Sequence, residues 1–258
     1  MAIGERIILR LSRSPEAADY VPSKKEYTLT NALNLLKTEF PDLEKLVSGG
    51  RVVDFGCGHG YQAMALAATC NCTTVGIDSN RRTLQEAREI TDSELPHNSR
   101  VTFDDRIRDD MMGTFDVVIS QNSFEHFQDP VGVTEQMKSL LKKGGKLLIT
   151  FGPPWFAPYG SHMHFFCKIP WLNILCPEKT VMRARKHFRQ DGAMRYEDVE
   201  SGLNKMSLAK FERIIYASGM NVDYLKFRCI KGLDFLSRAP GLRELTVNRV
   251  TAMLSRTA

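Results

Sequence analysis

The sequence predicts an α/β fold, a mostly parallel, doubly wound seven-stranded sheet with helices on both faces. Three observations carry this reading. Short, near-continuous apolar runs alternate with helical patterns over roughly the first 150 residues. Glycine-rich breaks separate the runs. A single late interruption, of different composition, is followed by a return to regular pattern.

Taken in order, Thr28 to Phe40 carries Leu29, Leu33, Leu36 and Phe40 as a helical stripe. Gly49-Gly50 then precedes a strand, Val52-Val53-Asp54-Phe55, and Tyr61 to Ala68 reads as a helix of small residues. Thr73 to Ile77 is the second strand, Arg81 to Ile90 a polar helix, and Arg100 to Phe103 a third strand. Phe115 to Ser120 reads as a buried strand. Pro130 to Leu141 is a helix with Val133, Met137 and Leu141 on one face, and Lys146 to Phe151 a fifth strand. From Gly152 to about Met206 come five prolines, both tryptophans and three histidines, with no strand period. This stretch is expected to be a cap inserted after the fifth strand. Ser207 to Ser218 resumes as a helix, and Asn221 to Cys229 with Asn248 to Arg256 closes the sheet as an antiparallel pair. The expected organisation is therefore an N-terminal helical segment, 1–47, and one domain, 48–258, interrupted by the cap at 152–206.

An apolar fraction of 43% and a charged fraction of 25% exclude disordered and fibrous classes. The formal charge of +5 is modest and scattered, apart from clusters such as Arg183 to His187, so a nucleic-acid partner is not expected. Six cysteines without framework or metal spacing read as reduced thiols. No signal peptide or membrane span is expected, and the default compartment is cytoplasmic.

The chemistry is carried by Val52-Val53-Asp54-Phe55-Gly56-Cys57-Gly58-His59-Gly60. Three glycines at alternate positions after a strand let the backbone turn tightly and approach a ligand. A dinucleotide fingerprint would space them differently, and a carboxylate at the strand end repels a pyrophosphate while suiting an ammonium or sulfonium ligand. Asp78, 24 residues after Asp54, ends the second strand where a carboxylate can accept two hydrogen bonds from a ribose diol.

This arrangement resembles class I S-adenosylmethionine-dependent methyltransferases, closely over residues 48 to 151 and in outline over the 207–256 tail. Phe115 to Ser120 resembles the family's fourth strand, and Leu140 to Ile149, with Lys142-Lys143-Gly144-Gly145, its turn into the fifth. The resemblance is to the small-molecule group that includes ubiquinone-pathway enzymes, and implies a Rossmann-like fold with S-adenosylmethionine as methyl donor. By position it implies that Gly56, Gly58 and Gly60, with Cys57 between them, pass near the methionine moiety, and that Asp78 and the adjacent Ser79 hold the ribose. One of Asp104 and Asp105 would face the adenine, and Gln121 would lie near the sulfonium end.

An oxygen acceptor needs a base, and His126, His162 and His164 are the candidates. His126 follows Glu125 directly beyond the fourth strand. The similar stretch in related enzymes runs E-x-x-E-H and helps bind a divalent ion. Here Asn122 replaces the first acid, so no metal is expected. His162, presented by Gly160-Ser161, is slightly favoured as the base. Trp155, Phe156, Tyr159, Phe165, Phe166 and Trp171 would either line an acceptor pocket, suiting an aromatic or hydrophobic molecule, or form the core of the cap. The expected function is methyl transfer to a small molecule at oxygen or nitrogen. The alternatives are an RNA or protein methyltransferase using the Arg183–Arg189 cluster, or a binding protein that has lost transfer. Oligomeric state is not legible.

Overall fold

The computed structural model describes residues 3–14, 28–199 and 202–257. Seven strands form one sheet: β1 Arg51–Phe55, β2 Thr73–Ile77, β3 Val101–Asp104, β4 Phe115–Gln121, β5 Leu141–Phe151, β6 Asn221–Cys229 and β7 Val247–Ser255. Their order is β3-β2-β1-β4-β5-β7-β6, parallel through β5, with β7 antiparallel to both β5 and β6. The helices are α1 Ile3–Arg10, α2 Asn34–Glu39, α3 Leu43–Val47, α4 Tyr61–Thr69, α5 Arg81–Glu94, α6 Pro130–Leu140, α7 Leu172–Leu175, α8 Glu178–Arg185, α9 Leu208–Ala217 and α10 Pro240–Thr246.

Strand order reverses between β1 and β4, because the chain returns from the β3 edge to the centre before continuing outward. The loops leaving β1 and β4 therefore diverge and open a crevice at the carboxyl ends. One face of the sheet buries Val53, Val118 and Ile149 with Met137 of α6 and Phe211 of α9. The other buries Val52, Val117 and Leu148 with Leu36 of α2 and Ala65 of α4. Burial on both faces explains the near-continuous apolar strands.

Local chemistry sets the ends of the elements. Asp129 caps α6 by accepting from Gly132 N at 2.9 Å, with Pro130 at its first turn. Asn80 caps α5 through Arg82 N and Thr83 N.

Two expected elements differ. The stripe over 28–40 is a turn followed by α2. Thr28 N donates to Asn31 Oδ1 at 2.9 Å and Asn31 N to Thr28 Oγ1 at 3.3 Å, so these side chains satisfy the backbone locally. Pro41 then ends α2, and α3 follows as a helix that the periodicity did not separate. β5 begins five residues early, at Leu141, which pairs with Phe115 before the register shifts.

The 152–206 segment holds α7, α8 and short 3₁₀ turns, and its one strand-like feature among the described residues is an isolated bridge from Cys167 to Ser12. Its aromatic residues answer the question left open by the sequence. Trp155, Phe165 and Phe166 pack with Met163, Val181 and Tyr196 into a separate core, which α1 completes through Ile8. Phe156 and Tyr159 are exposed. Of the six aromatics, none lines either of the two large cavities described below. No helix among the described residues is long and apolar enough to cross a membrane.

Candidate active site

A cavity of about 610 Å³ opens where β1 and β4 diverge, within the range of small-molecule sites. Gly56, Gly58 and Asp78 line it, together with Ser79. Asp78 also organises the loop. Its Oδ2 accepts from Gly58 N at 2.8 Å and its Oδ1 from Asn80 N at 2.9 Å. A carboxylate has roughly four acceptor positions, so two remain for a ligand's diol. Ser123 lies between the two loops, with its hydroxyl 3.2 Å from Gly56 O and 3.1 Å from Gln121 O. A Cβ on Gly56 would fall 2.6 Å from that hydroxyl oxygen, so the close approach requires glycine.

Several expected residues sit elsewhere. Gly60 does not line the cavity. It starts α4 in the left-handed conformation, φ +75°, under the Phe103 ring. The Cys57 thiol points down against Gly76 and packs between α4 and the sheet, where burial pushes its pKa up. Gln121 is not in the lining, and its Oε1 is buried without a partner. Asn122, at φ +51°, turns toward the cavity in its place. Strand alternation stops at that residue, and the sequence carries no signal for it. Of the acidic pair, Asp105 lines the cavity beside Arg106 and Ile107, with Arg81 Nε at 2.7 Å. Asp104 is outside it, held by Arg108.

Asp54 lies beneath the glycine loop, 2% exposed. Gln62 Nε2 donates to its Oδ1 at 2.7 Å, while Oδ2 has no partner. Burial raises its pKa to about 7, assisted by the charge of Asp78. An unfolded aspartate titrates near 4, so the folded chain holds this proton more tightly and loses stability as pH rises from about 4 to 7. The expected loss, at most about 4 kcal/mol, is visible as a falling denaturation midpoint. Asp54→Asn should reduce that pH dependence, leaving the part that buried Glu125 contributes with the same sign. An unchanged profile in the variant would show that Asp54 is not its source.

The three histidines do not converge. His164 is exposed on the outer side, beside Tyr159. His162 sits at φ +56° with Nε2 buried and unpartnered, lines neither cavity, and is lowered to a pKa of about 4 by burial and by the nearby His126. Its ring meets His126 edge-on at 5.4 Å. Because the segment is a turn and not a strand, His162 and His164 face apart, and the H-x-H spacing does not form a ligand pair. Among the described residues no three His, Cys, Asp or Glu side chains are grouped to hold an ion. Glu125 is buried, with its carboxylate accepting from Gly152 N at 3.3 Å and its pKa raised by burial.

His126 lines the cavity, and its Nδ1 is 2.7 Å from the carbonyl of Gly202. A carbonyl only accepts, so Nδ1 carries the proton and the neutral ring has its lone pair on Nε2. Two arginines of the basic cluster are engaged within the protein, while Arg183, Lys186 and His187 are exposed. Arg185 is 5% exposed and bidentate to Asp191 at 2.6 and 2.5 Å, and Arg189 lies over the Phe165 ring.

A doubly wound sheet with a glycine loop beneath a nucleoside-sized cavity and an acid at the second strand end defines the S-adenosylmethionine-dependent methyltransferase class. The chain matches the family model described as a methyltransferase domain over residues 27–224 and belongs to that family. It is 30% identical over 121 residues to a ubiquinone biosynthesis O-methyltransferase of Chromobacterium violaceum, covering 46% of this chain and 52% of that protein. With the enzyme of the same name from Methylococcus capsulatus it shares 31% over 126 residues, 48% of this chain and 53% of that one. The chain thus spans about half the length of the curated relatives it matches. Among solved structures it resembles phosphoethanolamine N-methyltransferase 2 of Haemonchus contortus in complex with S-adenosyl-L-methionine (TM-score 0.56, 17% identity, 89% of this chain and 53% of that one). It also resembles an S-adenosylmethionine-dependent methyltransferase of Mesorhizobium loti (TM-score 0.53, 17% identity, 84% and 97%). At these identities the structural likeness concerns the fold.

The donor fits the residues present. The Asp78 carboxylate has acceptor capacity beside the cavity, and nothing lies within 4 Å of where a Cβ of Gly58 would stand, so the chain leaves room there for a ligand. Asp78→Ala is expected to weaken donor binding by about 1–3 kcal/mol, through loss of charged hydrogen bonds and of the Gly58 anchor. Titration calorimetry with S-adenosylhomocysteine measures this, and an unchanged affinity would remove Asp78 from the ribose site.

Proposed function

We propose that this chain transfers a methyl group from S-adenosylmethionine to an oxygen of a small-molecule acceptor, with His126 receiving the acceptor's proton. The observation that carries the reading is the position of His126. It is the one side chain among the described residues that lines both the donor cavity and a second cavity, of about 550 Å³, formed with residues of the 195–210 stretch. A residue at that junction touches the place where donor and acceptor must meet.

When bound, the donor supplies a methyl carbon activated by a sulfonium leaving group. The chain's own contribution is to position and to move one proton. Gly202 O holds the His126 ring with Nε2 as the acceptor. As the carbon–oxygen bond forms and the carbon–sulfur bond breaks, the acceptor hydroxyl gives its proton to Nε2, and the products are the methyl ether and a neutral thioether. Buried, weakly basic His162 supports the His126 ring from its edge.

The first test is calorimetric titration with S-adenosylmethionine and S-adenosylhomocysteine. Micromolar binding of both is expected. Absence of binding to well-folded protein would overturn the donor assignment.

A further inference from the structure

We infer that the second cavity is the acceptor pocket and that Lys210 holds an anionic group of the acceptor, a carboxylate or a phosphate. The inference rests on the methyl-transfer reading and adds to it the class of substrate.

The lining is polar throughout, with Leu203 the one large apolar side chain among the described residues. That composition does not suit a greasy acceptor, in contrast to the expectation drawn from the aromatic residues of the 152–206 segment, which pack into a core of their own. Its charged groups are Arg195, Glu197, Asp198, Lys205 and Lys210, with His126 at the junction. All but Lys210 and the histidine have an oppositely charged partner, with Glu197 and Asp198 sharing Arg195. Arg195 pairs with Glu197 at 2.5 Å and Asp198 at 3.4 Å, and Asp198 also accepts from Arg195 N at 2.9 Å. Lys205 pairs with Glu178 at 2.9 Å. Lys210 Nζ donates to the carbonyl of Asn204 at 2.8 Å, and no carboxylate among the described residues meets its charge. Burial alone lowers its pKa, with no acid acting against the shift. A half-buried ammonium that faces a polar cavity, with no carboxylate against it among the described residues, can take its counterion from a ligand.

The backbone sets Lys210 and His126 in one frame. Asn204, whose carbonyl holds Lys210, donates through Nδ2 to Phe124 O and Phe127 O, both at 2.8 Å, and through its N to Glu125 O at 3.0 Å. Those residues form the turn that carries His126. An anion on Lys210 is therefore tied to the base through the Asn204 backbone, which the His126 turn holds.

The test uses the full chain saturated with S-adenosylhomocysteine, titrated with inorganic phosphate and separately with benzoate at constant ionic strength. At least one anion is expected to bind in the millimolar range or tighter. Preference for phosphate would assign a phosphate ester acceptor, and preference for benzoate a carboxylic acid. Lys210→Met should weaken that binding by about tenfold or more. Lys210→Arg should restore most of it, and S-adenosylhomocysteine affinity should stay within about twofold in both variants, which also reports that they fold. Lack of binding of either anion at about 10 mM, or equal binding by Lys210→Met, overturns the proposal. If S-adenosylhomocysteine itself does not bind, the donor reading fails, and the same titrations on the free chain still judge the pocket.

Discussion

His126→Ala is expected to lower kcat by roughly 10²–10⁴-fold, the usual contribution of a positioned base, while leaving S-adenosylhomocysteine affinity nearly unchanged. The ring lines the donor cavity at its junction with the second one, so its removal opens space without removing a hydrogen bond to the glycine loop or to Asp78. The variant also leaves Gly202 O without its imidazole donor. His126→Gln separates the two effects, because its amide can still donate to that carbonyl but is not a base. Both variants should therefore lose turnover alike. His162→Ala should cost far less turnover, since that ring lines neither cavity. Full activity in His126→Gln would move the base elsewhere, and a reversed order of the two histidine variants would restore His162 to the role its sequence position suggested.

Gly60→Val should destabilise the protein by about 2–5 kcal/mol and abolish donor binding. Two costs add. Gly60 has φ +75°, a conformation costing a β-branched residue about 1–2 kcal/mol. A Cβ there would stand 2.5 Å from Phe103 Cε1 and 3.0 Å from Ala87 Cβ, contacts that force overpacking of about 1–3 kcal/mol. Phe103 has little room to retreat, since its ring also lies over Gly76, where a Cβ would come within 2.6 Å. The strain falls at the first turn of α4, so the loop that lines the cavity shifts with it. Thermal unfolding and calorimetry should show both losses together. A variant with wild-type midpoint and affinity would mean that the glycine serves neither packing nor the loop.

The parallel core was legible because strands buried on both faces must be apolar along their length, as in Val117-Val118-Ile119. The turns between them need glycine, Asn80 or Asp129 caps, and Pro130. These are local requirements, and short-range chemistry writes them into adjacent residues. Gly56, Gly58 and Asp78 could be located for the same reason, since the backbone conformation that lets them approach a ligand is decided within a few residues. Thr28 with Asn31, and Pro41, also carried their signals, which outweighed the apolar stripe of 28–40.

Only the tertiary structure decided the rest. Which of Asp104 and Asp105 faces the cavity depends on where Arg108 and Arg81 reach. Asn122, rather than Gln121, enters the cavity because the chain leaves β4 there and alternation no longer governs direction. The aromatic residues of 152–206 were compatible with a pocket until Ile8, more than 140 positions earlier, completed their core. Among His126, His162 and His164 the sequence favoured His162 only slightly. A carbonyl at Gly202, far along the chain, orients the first, burial leaves the second a poor base, and the third is exposed and lines neither cavity. The sequence by itself determined the class of donor, because the glycine loop after β1 and the acid after β2 are each specified by a few adjacent residues. The proposed base and acceptor pocket arise from contacts between segments distant in sequence, whose meeting is settled by packing of the whole chain.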